Sequence, residues 1–124
     1  MSKEVISADL RNFIARYIDS VAQLEALLLL HKDPTEKWTL EGVARRLYTG
    51  ESETAAVLSR LSGDGMVTHQ DQFYWYECAP ALAPTVDRLS DAYRHQLIAI
   101  TNLIHAKPRR IREFADAFKL KKDT

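Results

Sequence analysis

The sequence predicts a single, mainly α-helical domain that carries a small β-hairpin. Residues 38–67, WTLEGVARRLYTGESETAAVLSRLSGDGMV, have the spacing of two short helices joined by a tight turn and stopped by glycines. The residues that follow are rich in aromatic side chains around a polar turn, which is typical of two paired strands. A chain of 124 residues is long enough to bury one hydrophobic core. One domain over residues 1–124 is therefore expected.

The N-terminal part, residues 8–33, is helical in pattern because its apolar residues recur every three or four positions. The pair Asp19-Ser20 can cap a second helix, so either two helices meet near Ser20 or one helix bends there. The leucine-rich turn at residues 27–30 is apolar nearly all round, which indicates burial on more than one side. A polar loop around Pro34 follows. Trp38 is then expected to occupy a first strand position or a cap, and to pack.

The two short helices have recognisable ends. Thr39 is expected to cap the first helix through its hydroxyl group, and Gly50 is expected to take the positive φ that ends it. Ser52 is expected to cap the second helix, which Gly63 and Gly65 close. The buried faces should be formed by Val43, Ala44 and Leu47 in the first helix and by Ala55, Leu58 and Leu61 in the second.

The hairpin is predicted from Met66 onward, with a turn at residues 69–72 and an aromatic strand at residues 73–76. Alternation places Phe73 and Trp75 on one face of the strand and Tyr74 and Tyr76 on the other, so one pair should pack on the core. The aromatic residues Trp38, Tyr48, Tyr74 and Trp75 could line a pocket for a small effector, although core positions are more usual for such residues.

Residues 84–106 are predicted to form one long helix that Pro84 begins, because a proline is tolerated in the first helical turn. Two series spaced by seven residues give it a heptad-like seam. The seam consists of Val86, Leu89, Tyr93, Gln96, Ile100 and Leu103. It spans about three heptads, so it can pack between two subunits or against the first helix of its own chain. We favour packing between two subunits, which makes these residues the seam of a homodimer.

Residues 108–124 are predicted to form a C-terminal amphipathic helix and a basic tail, which Lys107-Pro108 separates from the preceding helix. Ile111, Phe114, Ala115 and Phe118 recur on one helical face, so this helix must dock on something apolar. The basic residues are Arg109, Arg110, Arg112, Lys119, Lys121 and Lys122. They are candidates for contacts with a phosphate backbone, and a solvated terminus is the alternative interpretation.

Charge and composition exclude several classes of protein. Lysine plus arginine equals aspartate plus glutamate at 17 each, so the whole molecule has no field that attracts nucleic acid or an anionic membrane. The longest apolar run, residues 26–30, is far too short to cross a bilayer, and the first residues do not lead into a signal peptide. A cytoplasmic protein without a membrane partner is expected. The single cysteine, Cys78, suits a reducing compartment and a structural thiol.

Catalytic chemistry is not expected. The histidines His31, His69, His95 and His105 lie on different predicted elements, without metal-ligand spacing beside Cys78. The carboxylates are spread along the chain, so no acid/base pair can be named. We expect neither an enzyme nor a bound cofactor or metal.

The two-helix unit and its hairpin, about residues 20–80, resemble the winged helix-turn-helix of bacterial transcription regulators. The closing sequence FADAFKLKKD is similar to the end of a group of small, uncharacterised bacterial winged-helix proteins. The resemblance implies a winged helix-turn-helix at residues 38–80, mainly α with a small β-hairpin wing, with added N- and C-terminal helices. It further implies a regulator that binds double-stranded DNA as a homodimer, because such regulators read paired half-sites.

The second helix of the motif would then face DNA or another partner. The residues expected on this surface are Arg45, Arg46, Ser52, Glu53, Ala56, Val57 and Arg60. Arg60 could contact a guanine edge, while Arg45, Arg46 and the basic tail would hold phosphates. However, Arg60 is surrounded by acidic residues, and residues 66–80 contain no lysine or arginine. A protein–protein interaction module that does not bind DNA is therefore the alternative function.

Overall fold

The structure, a computed structural model, describes residues 6–106 of the chain. The described part is mainly helical and contains a small three-stranded antiparallel sheet, which confirms the helical class. The helices are α1 (Ala8–Tyr17), α2 (Val21–Lys32), α3 (Leu40–Leu47), α4 (Glu51–Gly63), α5 (Ala83–His95) and α6 (residues 97–106). The strands are β1 (Trp38–Thr39), β2 (Val67–Gln70) and β3 (Phe73–Tyr76).

The sheet is more than the predicted hairpin, because β1 adds a third strand in the order β1-β3-β2. Trp38 pairs with Tyr74 in β3, so Trp38 does occupy a strand position. Tyr74 is buried, and Tyr76 packs against the core from the same face of β3. Trp75 points to the opposite face, where the ammonium group of Lys37 lies 4.3 Å from its ring centroid. The predicted alternation of the aromatic residues is therefore confirmed.

Two helices, rather than one bent helix, meet near Ser20. The Ser20 hydroxyl oxygen accepts a hydrogen bond from the backbone N–H of Gln23 at 3.0 Å and caps α2. The buried Gln23 side chain in turn accepts from the Asp19 N–H at 2.8 Å and donates to the Tyr17 carbonyl at 2.7 Å. This reciprocal arrangement satisfies the backbone polar groups at the junction of α1 and α2.

Helix α2 is at the centre of the molecule, as its leucine-rich sequence predicted. Leu24, Leu27 and Leu30 are fully buried. Helices α3 and α4 and strand β3 all contact α2, and the apolar side chains of these elements form a single hydrophobic core with those of α1, α5 and α6.

The predicted ends of α3 and α4 are partly wrong. Thr39 caps α3, since its hydroxyl oxygen accepts the Gly42 N–H at 3.0 Å. Gly50, however, has a φ of −71° and is the N-terminal flanking residue of α4, while the left-handed residue that ends α3 is Tyr48, with φ 57° and ψ 44°. Ser52 therefore lies inside the first turn of α4 and is not its cap. Gly65, with φ 82°, makes the predicted stop before β2.

The predicted helix over residues 84–106 is also wrong, because Gln96 divides it into α5 and α6. Gln96 has a φ of −131° and a ψ of 42°, outside the helical region. Its N–H still bonds to the Ala92 carbonyl at 2.7 Å, and its carbonyl accepts the Ile100 N–H at 3.0 Å. The break is therefore a local kink. Pro84 lies in the first turn of α5, as predicted.

The heptad-like seam packs within the chain. Val86, Leu89 and Ile100 are fully buried in the core, so these three side chains are not available to a second subunit. Tyr93 and Leu103 pack against the same core, and Gln96 is the kink residue. The structure thus supports the intrachain alternative and not the favoured dimer seam for these buried residues. The predictions for residues 108–124, which include the tail residues Arg109, Arg110, Arg112, Lys119, Lys121 and Lys122, lie outside the described residues.

Candidate functional site

The turn between α3 and α4 consists of residues 48–50 and presents Tyr48 to solvent. The chain leaves α3 through the left-handed backbone of Tyr48, and the Thr49 N–H bonds to the Ala44 carbonyl at 3.0 Å. The Thr54 hydroxyl lies 2.7 Å from both the Gly50 carbonyl and the Thr49 hydroxyl. Because Thr54 is buried, these bonds hold the turn firmly against α4. The turn is thus built by short polar residues around one large aromatic side chain.

Tyr48 is the most exposed large hydrophobic residue in the described part of the chain, with 95% of its surface accessible. A non-glycine residue in the left-handed region costs about 1–2 kcal/mol. An exposed tyrosine in such a conformation contributes little to the core, so its ring is free to contact a partner. The expectation that Tyr48 belongs to the core or to an aromatic pocket is wrong. Trp38 and Trp75 are half-buried and Tyr74 is buried, so these four residues do not form a shared effector pocket.

An open groove runs beside Tyr48, between the outer side of α3 and the start of α4. Its lining residues are Glu41, Ala44, Arg45, Tyr48, Thr49 and Glu51. The groove combines an aromatic ring, an exposed guanidinium group and two carboxylates. Tyrosine and arginine are enriched among the residues that dominate protein–protein binding energy. We call this groove, together with the adjoining exposed α4 residues Ser52, Glu53 and Ala56, the turn surface.

The residues predicted to face a partner divide into two groups. Arg45, Arg46, Ser52, Glu53 and Ala56 are exposed, and the sequence placed them correctly on the outside of α3 and α4. Val57 is half-buried and packs against the core, so it contributes only part of its side chain to the surface. Ala55, which was expected to be buried, is half-buried, and Thr54 takes the fully buried position beside it.

Arg60, the predicted base-reading residue, is exposed, but its guanidinium group is bonded to two carboxylates of its own chain. Its guanidinium group bonds to the Asp64 carboxylate at 2.9 Å and also to the carboxylate of Asp19 in the α1–α2 junction. The bond to Asp64 and the charge of Asp19 raise the pKa of Arg60 above its ordinary value. This arginine thus ties the end of α4 to α1–α2, and a ligand would have to compete with two carboxylates for its donors.

The charges at the start of α4 and in the hairpin are largely acidic. Glu51 and Glu53 are exposed in the first turn of α4, and residues 66–80 contain Asp71 and Glu77 without any lysine or arginine. Arg45 and Arg46 form no ion pair within the described range of residues. The turn surface is therefore mixed in charge around α3 and negative along the start of α4.

A second polar cluster lies between α2, β3 and α5, away from the turn surface. The Nε2 atom of His31 lies 2.8 Å from a carboxylate oxygen of Asp87, and the His31 ring meets that of Tyr76 edge to face at 5.0 Å. Burial raises the pKa of the nearby Cys78 thiol, and the Asp87 charge raises it further. A thiol that is harder to ionise is a poor nucleophile, so this cluster ties elements together and does not suggest catalysis.

Within residues 6–106, the histidine, cysteine and acidic side chains form no group of three or more that could hold a metal ion. No helix of the same region is sufficiently long and apolar to cross a membrane.

Comparison with known proteins gives the chain no relative. No protein-family model, no curated protein and no solved structure matches it. The turn surface is thus the candidate site on the strength of its own geometry.

Proposed function

We propose that this protein is a winged-helix module whose turn surface binds another protein. The winged-helix interpretation is supported by the order of α3, α4, β2 and β3 and by β1, which pairs with β3 and leads directly into α3. The observation that carries the binding proposal is Tyr48, whose ring is almost wholly exposed on a strained backbone at the edge of an open groove. Strained backbones are concentrated at functional sites.

The charge distribution indicates what the partner offers. Glu41 and Glu51 line the groove beside Tyr48, and Glu53 continues the acidic edge along α4. A partner segment with a lysine or arginine next to an apolar side chain complements this arrangement, because the cation meets carboxylates while the apolar group packs on the phenol ring. Electrostatic complementarity of this kind sets specificity and association rate more than affinity.

The test compares three forms of the protein as baits for capture from the native host. Wild type should retain a partner in near-stoichiometric amount, and Tyr48→Ala should lose it. The matched control is Arg94→Ala, which also shortens an exposed side chain, on α5. With the partner purified, Tyr48→Ala should weaken binding at least about tenfold in calorimetry, as expected for a central aromatic contact. Equal binding by wild type and Tyr48→Ala would contradict the proposal.

The second candidate function is the regulator implied by the family resemblance, which binds double-stranded DNA as a homodimer. It is favoured by one observation, the exposure of Arg45 and Arg46 on α3 without ion-pair partners in the described part of the chain. Each could contact a phosphate, and the basic residues beyond 106 could add to them. Arg60, by contrast, would have to leave Asp19 and Asp64 to read a base.

A salt titration distinguishes this second function from the first. If the chain binds DNA, fluorescence anisotropy with labelled duplexes from its own upstream region should show affinity that falls steeply as salt rises. The double variant Arg45→Ala, Arg46→Ala should then bind more weakly and with a shallower salt slope, whereas Tyr48→Ala should keep the slope. Absence of any binding at low salt, with the folded protein in excess, would eliminate DNA as the ligand.

A further inference from the structure

Thr54 is a buried polar residue beneath the turn of residues 48–50, with only 1% of its surface accessible. Its backbone N–H and its hydroxyl group both bond to the Gly50 carbonyl, at 2.9 Å and 2.7 Å. A threonine in a helix commonly bonds back in this way to the carbonyl four residues earlier. The Thr49 hydroxyl, at 2.7 Å, is a second partner and lies outside α4. This second contact connects the buried helix position to the exposed turn.

The direction of these two hydrogen bonds follows from the chemistry of the hydroxyl group. A hydroxyl has one proton to donate and two lone pairs that accept. The Thr54 proton is directed to the Gly50 carbonyl, which can only accept. The Thr49 hydroxyl must therefore donate its own proton to the Thr54 oxygen. The result is a chain of two bonds from Thr49 through Thr54 to Gly50, in which each bond polarises and strengthens the other.

We propose that Thr54 is a positioning residue for the turn surface, which holds Tyr48 in its binding conformation without contacting the partner; this inference rests on the proposed function. Tyr48 directly precedes the bonded residues Thr49 and Gly50, and its left-handed backbone is unfavourable for a residue with a Cβ atom. Such a conformation persists only where the surrounding structure determines it. A loop that is fixed before binding gives higher affinity, because its ordering entropy is not lost on association.

The hydroxyl group of Thr54 can be removed without emptying its buried site. Valine has the branched side chain of threonine but no hydroxyl, so Thr54→Val fills the same space. In this variant the Gly50 carbonyl still accepts the backbone N–H of residue 54, and the half-buried Thr49 hydroxyl can turn to water. The variant is therefore expected to fold. Thr54→Ser removes only a methyl group and should retain both hydroxyl bonds.

The first measurement concerns the turn itself and needs no partner. Backbone order parameters from NMR relaxation for residues 48–50 should be about 0.85 in wild type and Thr54→Ser, and below about 0.6 in Thr54→Val, the values of rigid and flexible backbone. The matched control is Thr101→Val, which removes a hydroxyl that bonds to the Ile98 carbonyl in α6. It should leave residues 48–50 rigid. Unchanged order parameters in Thr54→Val would overturn the proposal.

Thr49→Val removes the other hydroxyl of the pair, from a half-buried position. It should also lower the order parameters of residues 48–50. The double variant Thr49→Val, Thr54→Val should be no more flexible than Thr54→Val alone, because both substitutions break the same bond. Effects that simply add would show that this hydroxyl pair does not hold the turn, and would overturn the proposal.

Binding distinguishes a positioning role from a merely structural one. With the partner captured by the wild-type bait, Thr54→Val should bind about threefold to tenfold more weakly and associate more slowly, because the turn must first be ordered. Thr54→Ser should restore the wild-type affinity. Equal affinity of Thr54→Val and wild type, for a partner that Tyr48→Ala loses, would overturn this inference alone. Equal capture by wild type and Tyr48→Ala would instead overturn the proposed function, whatever the order parameters of the turn.

Discussion

The left-handed backbone of Tyr48 ends α3 and leaves the tyrosine ring exposed. The sequence offers glycine at position 50 for the left-handed conformation that ends α3, and propensity favours that choice. The structure instead places Tyr48 there. The chain reverses directly after α3, which keeps Val43 and Ala44 in the core and brings the Thr49 hydroxyl close to that of Thr54. Only tertiary packing fixes this register, which is why the exposed ring could not be predicted.

Arg60 is a second case in which a residue's role depends on distant neighbours. Its position on the outer side of α4 was predictable from helical spacing, and Asp64, four residues later, is a usual ion-pair partner. Asp19, however, lies 41 residues earlier in sequence and reaches Arg60 only because α2 packs against α4. The sequence therefore identifies the exposed arginine, but it does not predict that two carboxylates bind its guanidinium group.

Tyr93 gives a prediction for alkaline solution. Burial raises its pKa from 10.0 to about 12, and the Glu25 carboxylate, which accepts its hydroxyl hydrogen at 3.2 Å, adds to the shift. Its folded-state pKa is raised, so its contribution to stability is complete below pH 10 and is lost as the pH rises to about 12. Denaturation midpoints measured across this interval should therefore fall less steeply for Tyr93→Phe than for wild type.

Glu25→Gln separates the two causes of this shift. It removes the negative charge but leaves the phenol half-buried, so the alkaline fall should become shallower without reaching that of Tyr93→Phe. Half-buried Tyr76 has a pKa raised in the same direction, and some fall should remain in both variants. Identical slopes for wild type and Tyr93→Phe would contradict the assignment.

At the scale of elements, the ends of helices α3 and α4 yield a matched pair of substitutions. Thr39→Ala removes the hydroxyl that accepts the Gly42 N–H and should lower the free energy of unfolding by about 1 kcal/mol. Ser52→Ala changes an exposed hydroxyl inside the first turn of α4 and should change it by less than about 0.5 kcal/mol. Urea denaturation of both variants measures the difference. A larger loss for Ser52→Ala would restore that residue as the cap.

The elements themselves were largely predictable, and their interruptions were not. The leucines of α2, the one-sided pattern of α3 and the aromatic alternation of β3 are local signals that survive in the fold. The break at Gln96 has no such signal, because neither glycine nor proline stands there. The seven-residue repeat continues across it since α5 and α6 both place their apolar residues on the same core.

For the whole molecule, the buried seam predicts how stability depends on protein concentration. Leu89→Ala should lower the free energy of unfolding by about 2–5 kcal/mol, because it empties a fully buried site. The loss should be the same at low and high protein concentration, since the contact lies within one chain. If Leu89 packed between subunits, the midpoint would instead rise with concentration.

The control for this measurement is Leu97→Ala, which replaces a leucine that is 50% exposed. Its cost should be clearly smaller than that of Leu89→Ala. Melting curves at several concentrations for both variants therefore test how deeply the two leucines are buried and how many chains form the core.

The short sheet limits the ways in which this molecule can recognise a partner. Some domains bind extended peptides by adding them as a further strand, which requires a long open strand edge. Here one edge strand, β1, has two residues and the other, β2, has four, and only alternate residues of an antiparallel edge direct their backbone groups outward. So short an edge cannot hold a peptide by main-chain hydrogen bonds. Binding to the described part must therefore be specified by side chains, and its selectivity should follow the partner's side chains rather than its extended shape.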